Sequence, residues 1–219
     1  SKCLDLDDGT HAYMTGGAGL NFIYITGNTN VLDKILIQGK QFYDQDRLSF
    51  EIIIPQKLCT PQIVTILNTM GYPQQSKSVS MVISLDAFII DKTASFDAET
   101  IIKATDDQLN DWMMPLVDAF ESTNEICSIY ANIHEQALKK NINLRHFSLY
   151  KQEQPIASIT LSMCDNTIGR IDDVGTLPAF QGKGYGHRLM LAALDTARNA
   201  GVRQVSLTVH PDNPAIAMY

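Results

Sequence analysis

The chain has 219 residues, 45% of them hydrophobic, and carries a formal net charge of −7. This length and apolar content fit two domains with buried cores. No apolar run of roughly 18 residues occurs, which argues against a membrane-spanning helix, and no basic stripe of the kind that binds nucleic acid is present.

The first half of the chain is predicted to form a small α/β unit. Segments rich in β-branched and aromatic residues predict three strands, over 21–26, 47–54 and 78–85. A helix is expected over 31–44. A second helix begins at Thr60–Pro61, because a threonine N-cap followed by proline is typical of a helix start.

Residues 87–98 interrupt this pattern, and we place a domain boundary there, with a first domain over 1–92 and a second over 98–219. The second domain is predicted to contain five strands, over 100–105, 144–150, 155–163, 169–177 and 205–209.

Helices are expected between these strands. Thr105 and Ser122 each begin a capping-box pattern, so a helix is predicted after each of them. Pro115 is expected to kink or end the first of these helices. Helical periodicity predicts a third helix over 187–200 and another that starts at Asn213.

The four cysteines and five histidines are scattered along the chain, and none shows metal-ligand spacing, so no metal site is predicted. Reduced thiols favour a cytoplasmic location. The first residues also lack the basic start and apolar core of a signal peptide.

The segment 177–190, LPAFQGKGYGHRLM, places Gly182, Gly184 and Gly186 at alternate positions between a predicted strand and a predicted helix. The first amides of a helix lack intrahelical acceptors, and the helix dipole makes that end attractive to anions. Glycines let the backbone approach a phosphate closely. The pattern therefore predicts a phosphate-binding turn. The alternative is a glycine-rich cap without a ligand.

Spacing excludes two nucleotide-binding motifs. A P-loop requires GxxxxGK[ST], which GKGYGHRL does not supply. A dinucleotide-binding turn requires GxGxxG and an acidic residue after the next strand. The glycines here are spaced GxGxG, and no such acid follows 205–209.

Residues 181–186 match the pattern Q/R-x-x-G-x-G/A, and Leu177–Pro178 stand just before it. This resembles the acetyl-CoA pyrophosphate loop of the GNAT superfamily of N-acetyltransferases. The resemblance extends over the strand, loop, helix and strand of 172–209, and NPAIAMY at 213–219 resembles the family's next helix. It implies an α/β fold with a mixed sheet, the GNAT acyl-CoA N-acyltransferase fold.

The first domain resembles the degenerate N-terminal half of two-part GNAT proteins, and it contains no Q-x-x-G-x-G. We therefore expect a smaller GNAT-like half domain, a scaffold without its own cofactor site. The usual fold continues into two further strands after the helix that carries Tyr219. We accordingly expect the C-terminal strands to be missing from this sequence.

The resemblance implies that acetyl-CoA is the acyl donor and that its pantetheine arm lies where strands 169–177 and 205–209 diverge at a bulge. Backbone amides from Gly182 to His187 would hold the pyrophosphate. The amide of Leu177 would polarise the thioester carbonyl.

For two positions, the resemblance leaves more than one role open. Lys183 either adds positive charge beside the pyrophosphate or is a solvated loop lysine. Asn213 matches the family's asparagine, although Asp212 stands at the usual spacing before Tyr219. The residues expected to bind acetyl-CoA are Leu177, Gln181, Gly182, Lys183, Gly184, Tyr185, Gly186, His187 and Asn213.

Tyr219 matches the family's general acid, which protonates the departing thiolate. Asp172 and Asp173 are the nearest carboxylates on the central strand, so one of them is the candidate base, directly or through water. Strand alternation favours Asp173 unless a bulge reverses the choice. The alternative is that both are structural. His146 and Glu153 are weaker candidates.

The resemblance thus implies a transferase that moves an acetyl group from acetyl-CoA to the primary amine of a small molecule or peptide, by direct attack in a ternary complex. The alternative is a degenerate GNAT module that binds CoA without catalysis and acts through protein partners. Such a module is expected to have a broken loop, whereas residues 181–186 are intact. Neither nucleic acid nor a membrane is expected as a partner.

Overall fold

The computed structural model of the chain describes residues 2–7, 9–15, 21–27, 29–89, 99–164 and 167–219. Contacts between residues divide the chain into two compact units, 1–76 and 77–219. Within the described ranges, no helix is long and apolar enough to cross a membrane.

The first unit contains a four-stranded sheet. Its strands are β1 (Lys2–Asp7), β2 (Thr10–Met14), β3 (Phe22–Tyr24) and β4 (Glu51–Ile53). They lie side by side in this order, with β3 and β4 parallel and the other pairs antiparallel. The helices of this unit are α1 (Leu32–Asp44) and α2 (Pro61–Thr69), with short 3-10 helices at Thr29–Val31 and Gln56–Leu58. The sequence analysis does not predict the β1–β2 hairpin.

Tyr43 ties α1 to the first sheet. Its side chain is fully buried, and its hydroxyl donates to the backbone oxygens of Tyr13 (3.0 Å) and Phe22 (2.9 Å). The predicted cap of α2 is confirmed, because the hydroxyl of Thr60 accepts a hydrogen bond from the amide of Ile63 over 3.4 Å.

The second unit contains a six-stranded mixed sheet, so the predicted α/β class is confirmed. Its strands are β5 (Val79–Ser84), β6 (Thr100–Ala104), β7 (Leu144–Lys151), β8 (Gln154–Cys164), β9 (Ile168–Thr176) and β10 (Gln204–Val209). Their order is β5-β10-β9-β8-β7-β6, and only the β9–β10 pair of these described strands is parallel. The helices are α3 (Leu109–Ala119), α4 (Asn124–Lys139) and α5 (Tyr185–Asn199).

Strand β5, which the sequence analysis places in the first half, pairs with β10 over its whole length in the second sheet. Without β5, the backbone N–H and C=O groups along this edge of β10 would lack a strand partner. The proposed boundary between 92 and 98 lies outside the described residues. The division into domains 1–92 and 98–219 therefore stays a prediction.

Helices α3 and α4 begin later than the capping-box patterns predict. The N-cap residue of α3 is Gln108, because the hydroxyl of Thr105 is buried and pairs with a serine hydroxyl in the sheet. Thr123 caps α4 in place of Ser122. Pro115 lies inside α3 and does not end it.

Helix α5 covers the second sheet with its apolar face. Leu189, Ala193 and Ala197 are fully buried in one cluster with Ile159 and Leu161 of β8. Each fully buried leucine or isoleucine side chain contributes about 1.5–3 kcal/mol. This packing fixes the first turn of α5 beside the end of β9.

Candidate active site

Strands β9 and β10 pair only at one end. Gln204–Ser206 pair with Ile168–Arg170, and the described residues beyond them do not pair. β10 continues along β5 to Val209, while β9 follows β8 to Thr176. A gap therefore opens between the two strands, as the resemblance implies.

A β-bulge in β9 lies at the start of this gap. Asp172 is opposite Thr160 of β8 and Gly175 is opposite Ser158, so β9 has one extra residue here. Asp173, within the bulge, has a φ of 54°. This left-handed conformation costs an L-residue about 1–2 kcal/mol, and aspartate is among the residues that adopt it most readily. Simple alternation therefore does not decide which aspartate faces the site.

Asp172 is held in an ion pair. Both of its carboxylate oxygens accept hydrogen bonds from Nε of Arg170 at 2.9 Å. Nη1 of Arg170 also donates to the hydroxyl of Thr208 on β10 over 3.3 Å. These contacts connect the diverging strands, which gives Asp172 a structural role.

Asp173 instead lines a cavity of about 340 Å³ formed with α3 and α4. The other lining residues, which are mostly apolar, are Trp112, Met113, Leu116, Phe120, Ser122, Ile126, Cys127 and Tyr130. Burial raises the pKa of Asp173 above its ordinary value of 3.8. A carboxylate in such surroundings is suited to hold a cation and to accept a proton.

Gly175 allows α3 to lie close to β9 beside this cavity. A Cβ at this position would lie 2.7 Å from Cδ2 of Leu116 and 3.0 Å from Cβ of Ala119. The wall that α3 contributes therefore depends on the absence of a side chain at Gly175.

Two histidines link Asp173 to a second carboxylate. Nε2 of His134 is 4.0 Å from Oδ2 of Asp173, and Nδ1 of His134 is 2.8 Å from Nε2 of His146. Nδ1 of His146 is in turn 2.9 Å from Oδ1 of Asp106. The ring of Trp112 packs against both imidazoles, with centroid distances of 4.8 and 5.1 Å.

Burial controls the ionisation of these groups. It lowers the pKa of His134 to about 4, so this ring is neutral at neutral pH. Burial opposes ionisation of Asp106, but hydrogen bonds from His146 and Arg145 outweigh it and hold the pKa of Asp106 below its ordinary value. Asp106 is therefore ionised at neutral pH.

Local sequence patterns reveal little of this cluster. His146 is a weaker candidate from the sequence, and His134 and Asp106 are not singled out there, because these residues come from different elements and match no motif. A histidine inside an otherwise apolar strand is the one available signal. Glu153 lies in the exposed turn between β7 and β8 and is not part of the cluster.

The glycine turn precedes α5 as predicted, although the helix begins at Tyr185 rather than His187. Gly182 and Gly184 have φ values of 72° and 80°, and a Cβ on either would meet nothing within 4 Å. Among the described residues, no side chain caps α5. The turn therefore offers open backbone and a positive helix end.

Side chains of the turn contribute mainly to its own structure. Nε2 of Gln181 donates to the backbone oxygen of Thr176 over 3.0 Å, which ties the turn to β9. Nζ of Lys183 donates to a backbone oxygen within the same loop over 2.9 Å. The ring of Tyr185 is buried, whereas His187 is exposed.

The assignment of Leu177 needs correction. Its amide donates to the backbone oxygen of Ile156 over 2.9 Å, because Leu177 extends the pairing of β9 with β8. It is not available to a thioester carbonyl. Since successive amides of a regular strand point in opposite directions, that of Thr176 is directed away from β8, toward the gap.

The segment after β10 forms a short 3-10 helix, Pro214–Met218, rather than an α-helix. Asn213 caps it by accepting a hydrogen bond from the amide of Ala215 over 2.9 Å, whereas Asp212 is exposed. Tyr219 is half-buried against the main core, and burial raises its pKa above the ordinary value of 10.0.

Residues 107–219 match the sequence pattern of the Acetyltransferase (GNAT) family. A comparison with curated proteins gives no match. Among solved structures, the chain is similar to a functionally unknown conserved protein from Staphylococcus epidermidis ATCC 12228. The two share 20% identity with a TM-score of 0.65, over 100% of this chain and 87% of that chain.

Two further structures are similar over most of both chains. A GCN5-related N-acetyltransferase from Kribbella flavida has 11% identity and a TM-score of 0.65, over 91% of this chain and 76% of its own. A tandem GNAT protein from the clavulanic acid biosynthesis pathway has 14% identity and a TM-score of 0.66, over 95% and 72%. Identities this low establish the fold alone, and they confirm the predicted GNAT fold with a preceding half.

Proposed function

Because the chain belongs to the acetyltransferase (GNAT) family, we propose that it transfers the acetyl group of acetyl-CoA to a primary amine. The observation that carries this proposal is the arrangement around the bulge of β9. The glycine turn and the gap toward β10 adjoin this strand, and the cavity with Asp173 adjoins it at the bulge. One strand thus contributes to both places where donor and acceptor would bind.

The residues of the turn fit acetyl-CoA. The open backbone at Gly182 and Gly184 and the uncapped start of α5 are suited to a pyrophosphate. The backbone groups of β9 that face the gap are suited to the amides of a pantetheine arm. Acetyl-CoA supplies the acetyl group and a thiol leaving group when it is bound.

The backbone donor for the developing oxyanion is the amide of Val174 in this proposal, in place of the amide of Leu177. Val174 directly follows Asp173 in the bulge, where β9 no longer pairs with β10. A fixed amide in a site from which water is excluded stabilises the charge that forms as the amine attacks.

Asp173 is the group that holds the ammonium and begins its deprotonation. It lines the cavity, and burial raises its pKa toward a range useful for proton transfer. Asp172 is engaged in an ion pair with Arg170, so we do not assign it this role. The amine then attacks directly in a ternary complex, without a covalent enzyme intermediate.

Tyr219 is the proposed acid. Its raised pKa keeps the phenol protonated at neutral pH, so a proton is available for the departing thiolate. Asn213 holds the short helix that precedes Tyr219.

The test measures thiol release from acetyl-CoA with a panel of primary amines. Turnover with at least one amine, and its loss in Asp173→Asn but not in Asp172→Asn, supports the proposal. The competing candidate is a module that binds CoA without catalysis. Calorimetric binding of acetyl-CoA without turnover on any amine would favour that candidate.

The proposal also covers the role of the first domain and the cellular location of the protein. We assign residues 1–92 a scaffold role without a cofactor site, so calorimetry should find one acetyl-CoA per chain. All four cysteines are free, which accords with a cytoplasmic location.

A further inference from the structure

The cavity formed by α3, α4 and Asp173 combines apolar walls with one carboxylate. Trp112, Leu116, Phe120 and Tyr130 contribute apolar surface, and Asp173 is the charged side chain of the described lining. A carboxylate pairs with an ammonium group, and the aromatic rings of tryptophan and tyrosine also attract cations. The cavity is therefore complementary to a molecule with a single cationic end.

Its size narrows the choice of occupant further. The volume of about 340 Å³ lies near the lower end of the range of about 300–1,000 Å³ for small-molecule sites, so the occupant is small.

We propose that the acceptor is a small arylalkylamine, with its ring between α3 and α4 and its ammonium at Asp173. This proposal rests on the proposed function, because it assigns the occupant of the same acceptor site. A polyamine fits less well, because its second ammonium would face apolar walls without a counter-charge.

The test compares kcat/KM for phenethylamine, ethanolamine and spermidine at saturating acetyl-CoA. Burial of a phenyl ring should favour phenethylamine over ethanolamine by about 10- to 100-fold. Equal or better turnover of ethanolamine or spermidine would overturn the substrate class and leave the acetyltransferase proposal intact. Turnover of none of the amines would remove the proposed function and, with it, this inference.

Two matched variants test where the aromatic ring of the substrate lies. Ile126 and Ile129 both lie on α4 and are both 48% exposed, but only Ile126 is in the described lining of the cavity. Ile126→Ala should raise KM for phenethylamine by about fivefold, and Ile129→Ala should not. Equal effects of the two variants would contradict the placement of the ring.

The hydrogen-bonded histidines carry a second inference, which also rests on the proposed function. Since Asp106 is ionised, Nδ1 of His146 must carry the proton of their 2.9 Å hydrogen bond. In the relay proposed below, Nε2 of His146 accepts from Nδ1 of His134 over 2.8 Å. The free lone pair of His134 is left on Nε2, the atom that faces Asp173.

The distance between Nε2 of His134 and Asp173 is suited to an amine nitrogen that contacts both side chains. The 4.0 Å between Nε2 of His134 and Oδ2 of Asp173 exceeds a direct hydrogen bond. An amine nitrogen between them can contact both atoms at normal hydrogen-bond distances. The ammonium would then donate one proton toward the carboxylate and another toward the imidazole.

We infer that His134, His146 and Asp106 carry the amine's proton out of the cavity. Asp173 takes one proton of the ammonium, and a second N–H bond of the amine breaks as Nε2 of His134 gains that proton. The proton on Nδ1 of His134 then moves to Nε2 of His146. The proton on Nδ1 of His146 moves to Asp106, which is partly exposed and releases it to water. Each imidazole passes on one proton for each it gains.

The surrounding groups favour transfer of the proton along this path over its retention on His134. His134 has a lowered pKa because of its burial, so it releases a proton readily. The other titratable or charged groups that act on this path are Asp172 and Arg170 beside Asp173, and Arg145 beside Asp106. Arg145 pairs with Asp106 over 3.2 Å and helps it to return to the ionised state.

The test replaces His134 with alanine and measures kcat with added imidazole. We expect kcat to fall by about 10²-fold, acetyl-CoA affinity to stay unchanged and imidazole to restore part of the rate. His11→Gln, on β2 of the first unit, is the control and should leave kcat unchanged.

A second variant addresses a purely structural role. Asp106→Asn keeps an acceptor for His146 but removes the charge, so it should lower kcat and change its pH profile while the protein stays folded. An unchanged kcat in both variants, with chemistry rate-limiting, would overturn the relay. A loss in His134→Ala that imidazole does not restore, with an unchanged pH profile in Asp106→Asn, would also overturn it.

Discussion

The two environments of β9 differ in the chemistry they offer. Toward the gap and the glycine turn, the proposed donor site offers backbone amides, and side chains such as Gln181 and Lys183 make hydrogen bonds within the loop or to β9. Toward the cavity, the proposed acceptor site offers Asp173 and side chains from α3 and α4, including Trp112 and Ile126.

A backbone site needs a particular conformation at a few glycines and tolerates variation elsewhere. A side-chain site changes with every residue that lines it. The donor side should therefore respond to backbone strain and the acceptor side to changes in charge and shape.

The largest effect should come from backbone strain on the donor side. Gly184→Val adds a branched side chain at a φ of 80°, next to the open backbone, and should abolish acetyl-CoA binding in calorimetry. Gly71→Val, at a φ of 86° in the first unit, introduces similar strain and should not affect binding. Wild-type affinity in a folded Gly184→Val protein would disprove the backbone site.

On the acceptor side, Asp173→Asn should lower kcat by about 10³-fold, because the variant cannot accept a proton. Asp172→Asn should change kcat by only a few-fold, because it removes a contact to Arg170 at the edge of the gap. Steady-state kinetics of both variants test the distinction. Equal losses would mean that the two aspartates act together.

Tyr219→Phe should lower kcat by about 10²-fold in the full-length protein, since it keeps the ring and removes the proton for the thiolate. Affinity for acetyl-CoA should barely change. A kcat within a few-fold of wild type, with chemistry shown to be rate-limiting, would mean that another group protonates the thiolate.

The raised pKa of Asp173 also predicts a pH-dependent stability. Folding favours the protonated form, so the contribution of this group is greatest below pH 3.8 and is lost as pH rises through the folded-state pKa. Asp173→Asn should therefore raise Tm at pH 7, and this gain should shrink toward low pH. Thermal unfolding of both proteins at several pH values measures this gain in Tm. A gain that does not change with pH would contradict the raised pKa of Asp173.

The smallest effect should come from Lys183→Ala. The side chain folds onto its own loop and is exposed, so its loss should weaken acetyl-CoA binding by no more than about twofold. A tenfold loss in calorimetry would show that Lys183 turns to the phosphates when the donor binds.

Local patterns in the sequence predict the donor side well. The glycines, the strand before them and the helix after them are contiguous, and they were expected within two residues of their observed bounds. The amide of Leu177 was assigned wrongly, because its direction depends on pairing with Ile156, more than twenty residues earlier in the chain.

The acceptor side depends on contacts that no local pattern encodes. The bulge at Asp173 becomes visible only once β8 and β9 are aligned, and α3 approaches it because Gly175 carries no side chain. Asp106, His134 and His146 come from a loop, a helix and a strand, and only the tertiary fold brings them together. No local pattern encodes the pairing of β5 with β10 either.

The pairing of β5 with β10 also bears on how the chain folds. These strands are more than one hundred residues apart, and each lies against the other over its full length. Contacts of such long range form slowly, and during synthesis β5 emerges long before its partner. Until β10 leaves the ribosome, the nascent chain therefore exposes β5 as an unpaired strand. Chaperone binding or aggregation is most favoured at that stage.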